Sequence, residues 1–272
     1  MINFNGYFIE DSKELFNANN RAFKYGDALF ETIKVKKSKV LFLEDHYFRL
    51  MASMRMLRME IPMSLTLEFF ENEILKTVEE NKLENARIRF SVFRKDGGLY
   101  TPLTNEISYL IEASKLNIAI KEIYTLDIYK DYYIYSGLLS TLKTTNKITN
   151  VLASIYAKEN NLDNCVLLNE KKNVVEAING NIFVIFKNKI KTPALTEGCV
   201  KGIMRKKIIE LISENNEYSL EETSISPFEL QKADEVFITN AIIGIQPVTN
   251  YKKSSFNTKI TEELAIRLDN LV

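Results

Sequence analysis

Residues 86–94, ARIRFSVFR, carry apolar side chains at alternate positions, with Arg87, Arg89 and Ser91 between them. That period of two is how a strand with one buried face reads. Asp96-Gly97-Gly98 then supplies turn chemistry, and NEISYLIEAS (105–114) resumes as a second strand. A half-buried sheet needs a cover, and the chain provides it. HYFRLMASMRMLRMEI (46–61) sets Phe48, Met51, Ala52, Met54 and Leu57 at helical spacing, and LTLEFFENEILKTVEENKL (65–83) reads as a second amphipathic helix. Upstream, MINFNGYFIE is extended and broken by the hairpin dipeptide Asn5-Gly6. ALFETIKVKKSKVLFLEDH gives two β-rich runs around a basic turn at Lys36–Lys39. The first part is therefore expected to be an α+β layer.

From about Lys121 the pattern changes. TTNKITNVLASIYAKENNL (144–162) reads as a helix, and residues 164–195 as short strands joined by polar turns. GIMRKKIIELISEN (202–215) is again helical, Ser226-Pro227 opens a short helix at PFELQKAD, and DEVFITNAIIGIQPV (234–248) closes the core as one apolar strand. A linker near 115–122 would divide a small N-terminal domain, 1–118, from a larger C-terminal one, 119–272. There is no repeat and no low-complexity segment.

A chain of 272 residues can hold one large domain or two modest ones. Lys+Arg and Asp+Glu both total 36, so no net field draws nucleic acid or an anionic membrane. Glu10 and Asp11 interrupt the place where a signal peptide keeps its apolar run, and no segment approaches about 18 apolar residues, so a soluble, cytoplasmic protein is expected. Cys165 and Cys199 have no C-x-x-C spacing and read as free thiols. The single histidine, His46, leaves little room for a His-based metal site or a Ser-His-Asp device, and no metal is expected. Enzyme chemistry must then run on Lys, Glu/Asp, Tyr, Arg or a cofactor.

Six segments, in order, resemble the class IV aminotransferases, the fold type IV pyridoxal-phosphate (PLP) enzymes: NRAFKYGDALFETIKV, FLEDHYFRL, LKTTNKITNVLA, VVEAINGNIFVI, TPALTEGCVKGIMRKKI and ADEVFITNAIIGIQPV. The resemblance spans nearly the whole chain. It implies a two-domain fold type IV architecture, PLP as cofactor, a small-molecule amino substrate and a homodimer. It makes Lys143, in the K-x-x-N pattern, the lysine that attaches PLP and then moves the substrate's Cα proton. Glu176 falls where a carboxylate keeps the pyridine nitrogen protonated. The phosphate is expected on Arg49, on the backbone N–H groups of Ile203 and Met204 beside the permissive Gly202, and on side-chain donors of Thr239 and Asn240. His46 and the Met-rich stretch MASMRMLRM are read as structural.

Relatives of this kind include branched-chain and D-amino-acid aminotransferases and 4-amino-4-deoxychorismate lyase. TNAIIGIQPV, GIMR and the pair Asn146-Lys147 lean towards the lyase, because the resemblance puts a tyrosine after the asparagine in branched-chain enzymes. Lys147, read as one helical turn beyond Lys143, is a candidate partner for a substrate carboxylate, as are Arg94 and Tyr100 in the FRKDGGLYTP loop. Leu99 stands where the lyase loop has an arginine, which weakens that match. The lyase is the first reading, an amino acid aminotransferase the second, and a non-catalytic PLP-binding protein the third.

Overall fold

In the computed structural model, which describes residues 1–214 and 217–271, Asn5 and Gly6 take positive φ (52° and 88°) and turn β1 (Ile2–Phe4) into β2 (Tyr7–Ile9). Asn20 caps α1 (Arg21–Tyr25), its side chain accepting the Phe23 N–H at 2.9 Å. Next come β3 (Ala28–Lys36), β4 (Lys39–Val40), α2 (Leu43–Met56), α3 (Leu67–Glu80), β5 (Ala86–Arg94) and β6 (Ile107–Lys115). The strands form one antiparallel sheet in the order β2-β1-β6-β5-β3-β4. Its alternation is that expected from sequence: Ile33, Val35, Ile88, Phe90 and Ile111 are fully buried. Helices α2 and α3 pack on the sheet, Phe70 of α3 lying 4.6 Å from the Phe90 ring. Each such side chain removed from water contributes roughly 1.5–3 kcal/mol. The second β-rich run is shorter than expected, since after Val40 the chain turns directly into α2.

These elements make up a first compact unit, Met1–Ile118, to which Lys143–Asn146 also belongs. The second comprises Ala119–Leu142 and Lys147–Val272; its last residue lies outside the described residues, as does Asn215 of the expected 202–215 helix.

The second unit holds β7 (Thr125–Ile128), α4 (Ile148–Glu159), β8 (Asn164–Leu168), β9 (Val174–Ala177), β10 (Asn181–Phe186), β11 (Lys189–Pro193), α5 (Ile203–Ser213), β12 (Ser219–Thr223) and α6 (Pro227–Gln231). It ends with β13 (Glu235–Asn240), β14 (Gly244–Val248), β15 (Asn250–Tyr251), β16 (Ser254–Ser255) and α7 (Lys259–Asp269). Two five-stranded sheets result, ordered β12-β11-β10-β13-β14 and β16-β15-β7-β8-β9. Ile182, Val184, Val236 and Ile238 of one join Leu126, Val166 and Val174 of the other in a single apolar cluster. Helices α5 and α7 pack on β13, and Phe183 and Phe237 stack at 4.8 Å. A strand buried on both faces reads as a continuous apolar run, which is why β10 (NIFVIF) does not alternate.

The expected single strand over 234–248 is instead a hairpin, β13 and β14. Asn240 Oδ1 accepts the Ile242 and Ile243 N–H groups at 3.0 Å, and Gly244 takes φ 80°. The turn hides in sequence because Ala241, Ile242 and Ile243 are apolar.

Candidate active site

After a 3-10 turn at Leu138–Thr141 the chain extends, and Lys143 is laid along β3. Its carbonyl accepts the Phe30 N–H at 2.9 Å, and Thr145 N–H donates to Ala28 O at 3.1 Å. Asn146, the asparagine of K-x-x-N, donates through Nδ2 to Gly26 O at 3.0 Å. A Cβ on Gly26 would sit 2.2 Å from Asn146 Oδ1, and Gly26 has φ 62°, so only glycine permits this latch. The Lys143 ammonium lies 4.4 Å from the centroid of the Phe30 ring.

One residue along β3, Glu31 occupies an inward position between Leu29 and Ile33. A carboxylate buried there demands charged partners. Arg49 of α2 supplies them, donating from Nε at 2.7 Å and also from Nη2, while His46 Nδ1 lies 2.7 Å from Glu31 Oε2. Burial opposes ionisation of Glu31, but Arg49 and His46 outweigh it and bring the carboxyl to about 2. Burial pushes His46 the other way from a charged partner, below its ordinary 6.5, and the nearby Arg49 and Lys143 charges add to that. His46 is therefore a neutral donor to Glu31, and the pair aims Arg49. The expectation of a structural His46 missed Glu31, whose signal is an acidic residue at an inward place of an alternating strand.

In the second unit, Glu176 is buried on β9 and its Oε2 accepts the Val200 N–H at 2.9 Å. Val200 O in turn accepts from Asn181 Nδ2 at 2.9 Å. A Cβ at Gly202 would meet Asn181 Oδ1 at 2.0 Å, so the chain passes close there before α5 begins. Gly202, the N-cap of α5, has no side chain to cap the helix itself. The first N–H groups of an α-helix have no partner within it and favour an anion. Ile203 and Met204 bury their side chains, so only their backbone can serve.

The surroundings of five further candidate residues define what each can offer. The Thr239 hydroxyl donates to Gly244 O at 2.7 Å, so it offers only its lone pairs elsewhere. Asn240 spends its oxygen on the β13–β14 turn, which leaves Nδ2 as its donor. Lys147 is the N-cap of α4, not a residue one helical turn beyond Lys143, because 143–146 runs along β3. Arg94 is turned inward: it donates to Asp27 Oδ2 (2.9 Å), Asn105 Oδ1 (2.5 Å), Arg58 O (3.2 Å) and Leu57 O (2.7 Å). Tyr100 is 89% exposed, on a loop that Arg21 holds through Gly97 O and Leu99 O.

A family model for amino-transferase class IV matches residues 28–251. The chain belongs to the class IV aminotransferase family. That family is PLP-dependent. A Methanocaldococcus jannaschii protein with a provisional branched-chain-amino-acid aminotransferase name is 30% identical, over 98% of this chain and 93% of its own length. The aminodeoxychorismate lyase of Vibrio harveyi is 28% identical over 85% of each chain. Among solved structures, a Legionella pneumophila protein provisionally named 4-amino-4-deoxychorismate lyase superposes with TM-score 0.88 at 23% identity, covering 96% of this chain and 97% of that one. This likeness shows the fold, fold type IV. No helix among the described residues of this class IV chain is long and apolar enough to cross a membrane.

Proposed function

We propose that this class IV aminotransferase-family enzyme cleaves 4-amino-4-deoxychorismate to 4-aminobenzoate and pyruvate. The observation that carries the reading is Lys147, a cation at the start of α4 just past the Lys143 segment. The resemblance puts a tyrosine in that part of the branched-chain enzymes, and the substrate offers two carboxylates.

PLP fits the residues present. A buried carboxylate at Glu176, a helix start at Gly202 and a side-chain-aimed guanidinium at Arg49 match a protonated ring nitrogen and a phosphate. When bound, the cofactor supplies an electron sink. Lys143 would hold it and then act as base for the proton on the ring carbon that bears the substrate's amino group. Loss of that proton, with breakage of the bond between the neighbouring ring carbon and the ether oxygen, would leave an aromatic ring and release the three-carbon side chain as enolpyruvate, which takes up a proton to become pyruvate. Glu176 would keep the pyridine nitrogen protonated. Arg49, the N–H groups of Ile203 and Met204, and Thr239 and Asn240 would hold the phosphate. Lys147 meets a substrate carboxylate.

A second reading, amino transfer between an amino acid and a 2-oxo acid, is favoured by Arg94. Its guanidinium is committed to Asp27, Asn105 and two carbonyls, so it cannot receive a second substrate carboxylate. One assay separates the two. Aminodeoxychorismate is offered first, then L- and D-amino acids with pyruvate or 2-oxoglutarate. Formation of 4-aminobenzoate supports the lyase; a new amino acid without 4-aminobenzoate overturns it. We also propose a cytoplasmic homodimer. In the 57–65 stretch Met63 is 95% exposed while Met59 and Leu65 are buried, so one apolar side chain there stands ready for a second copy.

A further inference from the structure

Glu197 is a buried carboxylate that the chemistry above does not use. It ends a short 3-10 turn, Leu195–Glu197, in the loop between β11 and α5. Its Oε2 accepts from Asn169 Nδ2 at 2.6 Å and Asn173 Nδ2 at 2.9 Å, and its Oε1 from Ser224 Oγ at 2.6 Å. Its backbone carbonyl accepts from Asn169 Nδ2 as well, at 3.2 Å. Asn169 has no freedom to turn, because its Oδ1 accepts the Lys171 and Asn173 N–H groups at 3.0 and 2.9 Å. Its amide must face Glu197 and needs an acceptor there. Three neutral donors from two other segments thus converge on one side chain at the middle of this loop.

The far end of the same loop carries the cofactor-facing groups. Val200 N–H holds Glu176, Val200 O is held by Asn181, and Lys201 N–H donates to Thr141 O at 3.1 Å. Between them Gly198 takes φ 101°, with Ser136 Cα only 3.1 Å from where a Cβ would be, so a side chain at this position would be strained and crowded. Only Gly198 and Cys199 separate Glu197 from Val200, so a shift at Glu197 would reach Val200 over a short stretch of chain.

We propose that Glu197 is a positioning residue: it fixes the 194–202 loop so that Val200 orients Glu176 and the start of α5 is held for the phosphate. This rests on Glu176 and α5 serving PLP as read above. Burial opposes its ionisation, but the hydroxyl and the two amides hold it below the usual carboxylate range, so it is an acceptor at every site at neutral pH. An amide at 197 preserves the pattern, its oxygen taking Asn169 and Asn173 and its NH2 donating to the Ser224 hydroxyl. An alanine does not.

The test compares Glu197→Ala, Glu197→Gln, Glu176→Gln and the double variant Glu197→Ala/Glu176→Gln, with Asn173→Ala as a milder break should Glu197→Ala fail to fold. PLP dissociation constants, the visible spectrum of the bound cofactor against pH, and turnover are measured. Glu197→Ala is expected to raise the PLP Kd about tenfold or more, Asn173→Ala about threefold, and Glu197→Gln is expected to restore affinity to within about threefold of wild type. Glu197→Ala should shift the spectrum in the same direction as Glu176→Gln. Its effect on turnover should largely disappear once Glu176 is already glutamine, since the two then share one route. Equal effects in both backgrounds, or lowered thermal stability with unchanged PLP Kd and spectrum, would overturn the proposal. If Glu176→Gln alone left spectrum and turnover unchanged, the assignment of Glu176 itself would fail, whatever Glu197 does.

Discussion

The two units hold their candidate site residues by different means. In the first, Arg49 is aimed by a buried cluster of ionisable side chains, Glu31 and His46, packed inside an otherwise apolar sheet. In the second, Glu176 is held by a backbone N–H, and the groups offered to an anion at α5 are backbone N–H groups too. A charge-built device depends on pH and on single side chains; a backbone-built one depends on loop geometry. The difference predicts where each half breaks.

The largest effect is expected from Glu31→Gln. A carboxyl drawn from 4.5 to about 2 contributes about 3 kcal/mol of stability at neutral pH. Breaking one side of a buried ion pair acts on the same scale, about 3–5 kcal/mol. Because the folded state depresses this pKa, the contribution is complete above 4.5 and fades as pH falls towards about 2. His46 acts earlier: its pKa is depressed below 6.5, so the unfolded chain takes up its proton first and stability declines once pH drops through 6.5. Urea unfolding from pH 7 to 4, followed by segment-resolved hydrogen exchange, should show 28–36 and 43–56 losing protection before the apolar strands at 181–186 and 235–240. Simultaneous loss would erase the contrast between the units.

Next in size is Glu176→Gln, with a rise in the barrier of roughly 2–4 kcal/mol because a neutral amide cannot hold a pyridinium charge. The fold should persist, since Gln still offers an oxygen to Val200 N–H. Steady-state kinetics with a melting curve checks both parts; activity within about twofold of wild type would remove Glu176 from the mechanism.

Smaller again is Lys147→Met. A partly desolvated contact between an ammonium and a carboxylate is worth about 1.5–3 kcal/mol, so KM for aminodeoxychorismate should rise about tenfold or more. The cofactor spectrum should barely change. An unaltered KM would leave Lys147 as the N-cap of α4 and nothing more, and would favour the aminotransferase reading.

What sequence could and could not show follows the same division. Periodicity marked β5 and the paired helices α2 and α3, because one face of each meets water and the other the core. Ser226-Pro227 marked α6, and Ser226 Oγ does accept the Glu229 N–H at 3.1 Å. The β13–β14 turn and α7 went unread: the first is built from apolar residues, and the second follows short strands with no side-chain cap at Thr258. At the site, residue types at motif positions were legible, but their orientations were not. Arg94 looked available because its partners, Asp27 and Leu57, lie 67 and 37 positions away. Val200 and Glu197 were invisible for the same reason, since a loop's contribution lies in its backbone path and not in its letters.

The central claim is that Lys143, latched onto β3 by Asn146 and Gly26, is the lysine that carries PLP. Borohydride reduction of the PLP-loaded enzyme, followed by proteolysis and mass spectrometry, tests it directly. The pyridoxyl group is expected on Lys143, and Lys143→Ala is expected to abolish both the adduct and turnover. A stable adduct on any other lysine, or full activity in Lys143→Ala, would contradict the account.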